Sequence, residues 1–218
     1  MSDTPNQGKG RCQCSARLLI KPVRAVIELG ALQDVLTATL NCVHHGNRTG
    51  DVADFIAVAL PQMHKGRDVM LLGHEIELIG SDASLSRLNG MSGIVTLRTR
   101  GMIETIDIDQ TRLDAGTTGA AYVRDRACEK YTHGWLRRTS ARAERRGKPI
   151  GKRRKSARAH DGGVLALFYG DAVVHVREVV STVSDNDLFV TTYGFSNAES
   201  PAVLPVFPDS ARLSDRAA

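Results

Sequence analysis

One stretch of the chain, residues 122–160, is far more basic than the rest. It holds 14 Lys and Arg residues against three Asp and Glu residues, a net charge of +11, while the whole 218-residue chain carries only +5. The remaining residues are therefore acidic overall. So many cations cannot be buried in a core, and they must form one exposed face. Such a face is typical of a protein that binds a polyanion, most commonly nucleic acid.

The middle of this stretch predicts a helix over residues 130–146, which Gly147, Lys148 and Pro149 end. Arginines at helical spacing share one side of such a helix, and residues 152–155 predict an irregular basic loop. The cations that we expect to contact nucleic acid are Arg124, Arg126, Arg137, Arg138, Arg142, Arg145, Arg146, Lys152, Arg153 and Arg154.

Composition excludes several other classes of protein. No run approaches the ~18 uncharged apolar residues of a membrane span, and the polar N-terminus resembles no secretory signal, so we expect a cytoplasmic protein. Cys12 and Cys14 form a C-x-C pair with no second pair near it, which is a weak metal signal. We therefore expect reduced thiols, no metal site and no cofactor.

The first half of the chain predicts a ferredoxin-like domain over residues 16–110, after a disordered segment at residues 1–15. Periodicity and turn residues first predict a strand at 16–22, a helix from Val23 to Gly46 and a strand at 54–60. They then predict a strand with one exposed face at 73–79, a helix from Ser81 or Asp82 to Asn89, and a long strand or hairpin at 92–109. The β-α-β-β-α-β order is that of ferredoxin-like folds, which host many functions.

The second half predicts a separate β-rich region over residues 122–208, which carries the basic helix. A Gly- and Thr-rich link at 110–121 precedes it, β runs follow at 164–169, 172–180 and 187–193, and a loose tail begins at 209. The fold class is therefore α+β.

Two adjacent histidines, His44 and His45, lie at the predicted end of the first long helix. Neutral imidazole is the usual general base near pH 7, since its unperturbed pKa is about 6.5. A surface position at the helix end is the alternative role. The other histidines form no metal-binding spacing with this pair, so we expect no metal ligation.

Several short motifs, taken in order, resemble one protein family. Residues 192–197 (TYGFSN) and 205–208 (PVFP) resemble its C-terminal signature, and residues 55–61 (FIAVALP) resemble one of its strands. His45 precedes the proline of that strand by 16 residues, the family's spacing for its histidine, and HEIELIGSDASLSRL resembles its third strand and second helix. Over residues 17–208 the chain is similar to CRISPR repeat-processing endoribonucleases of subtype I-F, including transposon-associated members.

This resemblance implies a function. Family members cleave precursor RNA at repeat stem-loops without metal, through attack of a ribose 2′-OH that leaves a 2′,3′-cyclic phosphate. They then remain on the 3′ hairpin of the guide RNA as a subunit of the interference complex. The resemblance assigns the base to His45, with His44 as the alternative, a positioning role to Tyr193, and the family's ribose-holding serine to Ser156 or, in its place, His160. It also places the arginine helix in the major groove of the hairpin.

One base-reading pair departs from the family pattern. The family has an Arg, one residue and a Gln ahead of the helix, and here Arg126 is followed by Cys128 at the Gln position. A thiol cannot make the bidentate contact to adenine that an amide makes. We therefore expect a different repeat sequence, or participation of Arg124 or Glu129.

Two other functions remain open from the sequence. The first is a non-catalytic RNA-hairpin-binding subunit of the same architecture. The second is an unrelated basic nucleic-acid-binding protein, for example a DNA-binding factor.

Overall fold

A computed structural model describes residues 6, 8–67, 69–104, 107–111, 115–129, 133–147, 163–169, 172–184 and 187–207. The fold is α+β. Its helices are α1 Arg24–Glu28, α2 Leu32–Thr49, α3 Asp82–Asn89, α4 Ser92–Thr99, α5 Arg126–Glu129 and α6 His133–Arg145. Its strands are β1 Lys9–Cys12, β2 Ala16–Ile20, β3 Ala57–Ala59, β4 His64–Lys65, β5 Met70–Leu71, β6 Ile76–Gly80, β7 Ile108–Gln110, β8 Thr118–Arg124, β9 Leu165–Tyr169, β10 Ala172–Thr182, β11 Leu188–Thr191 and β12 Leu204–Pro205.

The first four-stranded sheet has the order β3-β6-β2-β7, and every neighbouring pair is antiparallel. Helix α3 packs against β2 and β6, and α2 packs against α3 and α4. Every residue of β6 is buried, including Glu77, whose carboxylate pairs with Arg17 at 3.2 Å. The prediction that this strand has one exposed face is therefore wrong, because both of its faces are covered.

The second four-stranded sheet has the order β12-β8-β10-β9 and is also antiparallel. Side chains of β9 alternate between buried and exposed, with Leu165, Leu167 and Tyr169 on the buried face. All three predicted β runs of the second half are confirmed, as strands β9, β10 and β11. Strand β8 starts at Thr118, so part of the predicted link is a strand instead.

The N-terminal segment forms a strand where the sequence predicts disorder. Strand β1 pairs antiparallel with β11, with Lys9 opposite Thr191 and Cys12 opposite Leu188. Cys12 is buried, and its burial raises the pKa of the thiol to about 11. The prediction is wrong for Lys9–Cys12, because β11 supplies the hydrogen bonds that a polar segment lacks by itself.

Helix α2 continues past the predicted stop at Gly46. It ends at Thr49, with Gly50 as its C-cap. The predicted single helix is instead interrupted near its start, between α1 and α2, at Gly30, whose φ is +72°. Gly46 is buried inside the helix, where a Cβ would lie 3.3 Å from Met91 Cε. The predicted stop is therefore wrong, because this glycine serves a close helix contact. His44 and His45 lie within the helix and not at its end.

The two predictions that follow β6 have opposite outcomes. Helix α3 is confirmed with its N-cap, since the Ser81 hydroxyl accepts from Ser84 N and the Ser84 hydroxyl accepts from Ser81 N. The predicted long strand or hairpin at 92–109 is wrong for residues 92–99, which form α4 with Ile94 and Leu97 buried at helical spacing, while β7 begins at Ile108 near the end of the predicted range.

Candidate functional site

Tyr193 lies in a tight turn that follows β11. Gly194 has a φ of +80°, and its N–H donates to Thr191 O at 2.8 Å. The carbonyl of Gly194 accepts from Val58 N in β3 at 2.9 Å, and a Cβ at this position would lie 2.5 Å from Val58 Cγ2. Glycine is required here both by the backbone conformation and by the close approach of β3.

The same turn is bonded to the second sheet. Ser196 N donates to Tyr122 O, and Arg124 N donates to Ser196 O, each at 3.0 Å. These bonds bring the end of β8 beside the turn, where the Arg124 guanidinium carbon lies 4.7 Å from the centre of the Tyr193 ring. A cation at this distance is attracted to the aromatic face. The turn therefore fixes Tyr193 and Arg124 together at the junction of the two sheets.

His44 completes this cluster from α2. Its imidazole stacks on the Tyr193 ring, with the ring centres 4.2 Å apart and the planes 14° from parallel. Its Nδ1 lies 3.3 Å from Thr192 O. Because a carbonyl oxygen can only accept, Nδ1 carries the proton of this hydrogen bond, and in the neutral ring Nε2 is the acceptor.

The surroundings of His44 lower the pKa of its imidazole. Partial burial is the main cause, the hydrogen bond to Thr192 opposes it, and the nearby charges of Arg48 and Arg124 add to the lowering. His44 is therefore neutral near pH 7. A neutral ring with a basic Nε2 can accept a proton from a hydroxyl group placed against it.

Tyr169 supports the cluster from β9. Its ring meets the Tyr193 ring edge-on, with centres 5.0 Å apart and an interplanar angle of 88°. Its hydroxyl donates to Tyr193 O at 3.2 Å. Burial raises the pKa of this hydroxyl well above 10, so it remains a donor. Tyr169 thus holds both the backbone and the ring of Tyr193.

Asn47, one helical turn beyond His44, anchors α2 to the same turn. Its side-chain NH2 donates to Ile56 O at 2.9 Å and reaches Thr192 O at 3.4 Å, and its Oδ1 accepts from Ile56 N at 2.8 Å. The side chain is fully buried. The carbonyl oxygen of Thr192 therefore accepts from both His44 and Asn47, and these two bonds fix the position of α2 relative to the turn that carries Tyr193.

A cleft of about 560 Å³ opens beside Tyr193. Its wall combines the turn, the cations of three strands and helix α5, two carboxylates and one amide. The charged and amide side chains in this wall are Lys9, Arg124, Arg126, Arg177, Asp125, Glu199 and Asn197. The cleft is therefore net positive, and Tyr193, on which His44 stacks, is part of its wall.

Helix α6 confirms the predicted basic helix over most of its length. Within the described residues its arginines are all exposed, namely Arg137, Arg138, Arg142 and Arg145, with Arg146 exposed just beyond its end. Gly147, at φ +57°, follows the helix as predicted. The predicted residues Lys152, Arg153, Arg154, Ser156 and His160 lie outside the described residues.

Of the two candidate histidines, the structure brings His44 and not His45 against Tyr193. His45 is exposed, and its carbonyl accepts from Thr49 Oγ1. Each residue of a helix is rotated by about 100° from the one before, so adjacent side chains cannot both face the turn. The buried side of α2 contains Leu40, Val43 and Asn47, and His44 lies next to it.

The sequence missed several residues of the site, among them Lys9, Asn47, Tyr169 and Arg177. The alternating pattern of β9 places Tyr169 on the buried face, and this signal could have found it. Lys9 reaches the cleft because β1 pairs with β11 near the other end of the sequence, and Arg177 because β10 pairs with β8, where it stands opposite Val123. The local sequence carries no signal for either pairing.

Among the described residues, no group of three His, Cys, Asp or Glu side chains could hold a metal ion. None of the helices in this part of the chain has the length and apolarity needed to cross a bilayer. No protein-family model matches the chain, and no curated protein matches it at a significant level of similarity.

Proposed function

We propose that the protein is a metal-independent endoribonuclease that cleaves CRISPR precursor RNA at repeat stem-loops and stays bound to the hairpin of the guide RNA. The observation that carries the proposal is the His44–Tyr193 pair, a neutral imidazole stacked on a tyrosine beside a basic cleft. In the complete complex the protein is a subunit of the interference machinery, as the family resemblance implies.

The exposed arginines of α6 support an RNA partner. Arg138, Arg142 and Arg145 follow one another at helical spacing, and all are exposed. Cations on one side of a helix can contact phosphates, and those that enter the groove of a short hairpin can reach guanine O6 and N7. The cleft beside Tyr193 adds four further cations, Lys9, Arg124, Arg126 and Arg177, next to the ring on which the candidate base stacks.

The order of the first sheet supports a ferredoxin-like first half. Taken in sequence, its strands β2, β3, β6 and β7 are arranged so that the first and third lie at the centre. Helices α1 and α2 connect the first to the second, and α3 and α4 connect the third to the fourth. This order of elements supports the β-α-β-β-α-β arrangement that we propose for the first half from the resemblance.

The proposed reaction needs only an internal nucleophile and a base. His44 Nε2 takes the proton of the ribose 2′-OH, and the resulting oxygen attacks the adjacent phosphorus. The bond from phosphorus to the 5′-oxygen breaks, and that oxygen takes up a proton, which leaves a 2′,3′-cyclic phosphate and a 5′-OH. Holding the 2′-OH in line with the leaving oxygen supplies much of the rate, because the nucleophile belongs to the substrate.

The test is cleavage of a repeat stem-loop RNA in EDTA. We expect a cyclic-phosphate product, and no product from an RNA with a single 2′-deoxy substitution at the cut site, since the nucleophile is then missing. His44→Ala should bind the RNA and fail to cut it. Tight binding without cleavage of any repeat would indicate a non-catalytic hairpin-binding subunit, and equal binding of duplex DNA would contradict RNA recognition altogether.

A further inference from the structure

The cleft beside Tyr193 has a lining that the hairpin-binding helix does not explain. Lys9 enters it from β1 and Arg177 from β10, and both side chains are exposed. Lys9 stands opposite Thr191 in the β1–β11 pair, and Arg177 stands opposite Val123 in the β8–β10 pair. Thr191 itself lines the cleft, and Val123 directly precedes Arg124, which also lines it, so each cation is placed at the cleft by the register of a strand pair.

The lining has the chemistry of a site for single-stranded nucleic acid. Cations suited to phosphates share the wall with the aromatic side chain of Tyr193, and Asp125, Glu199 and Asn197 add groups that can hydrogen-bond a base edge. The volume of about 560 Å³ falls within the range of pockets that take ligands of nucleotide size. In a base-paired stem the bases are already paired and stacked, so their Watson–Crick edges cannot bind the polar groups of the cleft.

We propose that this cleft binds the unpaired RNA strand that continues from the hairpin at the scissile phosphate. This inference rests on the proposed function and extends it: α6 binds the stem, while Lys9 and Arg177 hold the phosphates of the unpaired strand. The strand is thereby drawn across the His44–Tyr193 pair. The cleft selects a hairpin with a single-stranded neighbour over a fully paired one.

The test compares binding of four RNAs that share one stem-loop and carry a 2′-deoxy block at the cut site. One has a blunt stem, one has five unpaired nucleotides on the 5′ side, one has them on the 3′ side, and one has a stem lengthened by base pairs to equal charge. We expect the 3′ flank, which continues from the hairpin past the cut site, to tighten binding about tenfold over the blunt RNA, and the 5′ flank and the longer stem to give no such gain.

The variants Lys9→Ala and Arg177→Ala, alone and together, identify the cleft as the site. The double variant should lose the gain from the flank and bind the blunt RNA as the wild type does. In the double variant, the slope of log affinity against log salt for the flanked RNA should become shallower by about 1.4, since each phosphate contact to a single strand contributes ~0.7. A matched control, Lys65→Ala with Arg100→Ala, removes two exposed cations elsewhere and should retain the gain.

The inference is overturned if the 3′ flank does not tighten binding, or if the double variant weakens binding of blunt and flanked RNA equally. In both cases binding and cleavage of the stem-loop by the wild type would leave the proposed function standing. Failure of the wild type to bind any of the four RNAs would instead reject the proposed function, and this inference with it.

Discussion

The imidazole of His44 and the ring of Tyr193 lie almost parallel, 4.2 Å apart, although 148 residues separate the two in the chain. The stack leaves the imidazole one fixed hydrogen bond, from Nδ1 to Thr192 O. The stack fixes the plane of the imidazole ring, and the hydrogen bond fixes its rotation. A candidate base that is already oriented loses little conformational entropy when it accepts a proton.

Replacement of His44 by alanine should separate cleavage from binding. We expect the single-turnover cleavage rate of His44→Ala to fall by about 10²–10⁴-fold, the usual contribution of general acid–base catalysis. Affinity for the stem-loop should stay within about twofold, because the arginines of α6 remain. His45→Ala is the matched control, and loss of cleavage in that variant would return the base to His45.

The cleavage rate should depend on pH through the titration of His44. Burial lowers the pKa of the imidazole from 6.5, so the neutral, active form persists below that pH. The rate should therefore be flat through neutral pH and fall only in acid, with its inflection below 6.5. Single-turnover rates in overlapping buffers give the profile, and an inflection at or above 6.5 would contradict the assignment.

The ring of Tyr193 should matter more than its hydroxyl. The stack on His44, the edge contact with Tyr169 and the approach of Arg124 all involve the aromatic ring. Tyr193→Phe should therefore cleave within about threefold of the wild type, while Tyr193→Ala loses ring contacts worth about 0.5–1.5 kcal/mol each and should be at least tenfold slower. Equal losses in the two variants would assign a chemical role to the hydroxyl.

Asn47 should contribute strongly to stability. Asn47→Ala leaves Ile56 N–H and C=O without their side-chain partner in a fully buried position, and each unsatisfied group costs about 1–3 kcal/mol. We expect the free energy of unfolding to fall by about 2–4 kcal/mol in urea titrations. Gln33→Ala, on the exposed side of the same helix, should change it by less than about 0.5 kcal/mol.

Charge reversal on α6 should weaken RNA binding and flatten its dependence on salt. Arg138→Glu with Arg142→Glu changes the net charge by −4 and places anions where phosphates would bind. The matched pair Lys65→Glu with Arg100→Glu changes the charge equally at distant exposed positions. Affinity measured at several salt concentrations should separate the two, and equal losses would show that only total charge matters.

Local chemistry explains which elements the sequence could predict. The reciprocal Ser81–Ser84 cap and the alternation of β9 are set by neighbouring residues, so the pattern alone indicated α3 and the second-half strands. The prediction for residues 92–99 was wrong because their apolar residues fit both the period of a strand and the period of a helix. Burial of Ile94 and Leu97 in the folded protein favours the helix. This burial depends on tertiary packing, which cannot be read from the local sequence.

The candidate site was predictable only in part, for the same reason. Tyr193 and the arginines of α6 carry local signals, whereas the choice of His44 over His45 depends on where α2 ends and which side of it is buried. Lys9 and Arg177 depend on strand pairs that join distant segments. No window of neighbouring residues contains that information.

The pairing of β1 with β11 also affects how the protein is made. Residues 9–12 leave the ribosome early, but their partner strand is synthesised almost 180 residues later. Until then β1 has no edge to join, and the turn that carries Tyr193 does not yet exist. A nascent or truncated chain that stops before β11 therefore contains His44 without its stack and Lys9 without its cleft, so that the enzyme we propose can act on RNA only once the β11 strand and the turn after it have been synthesised.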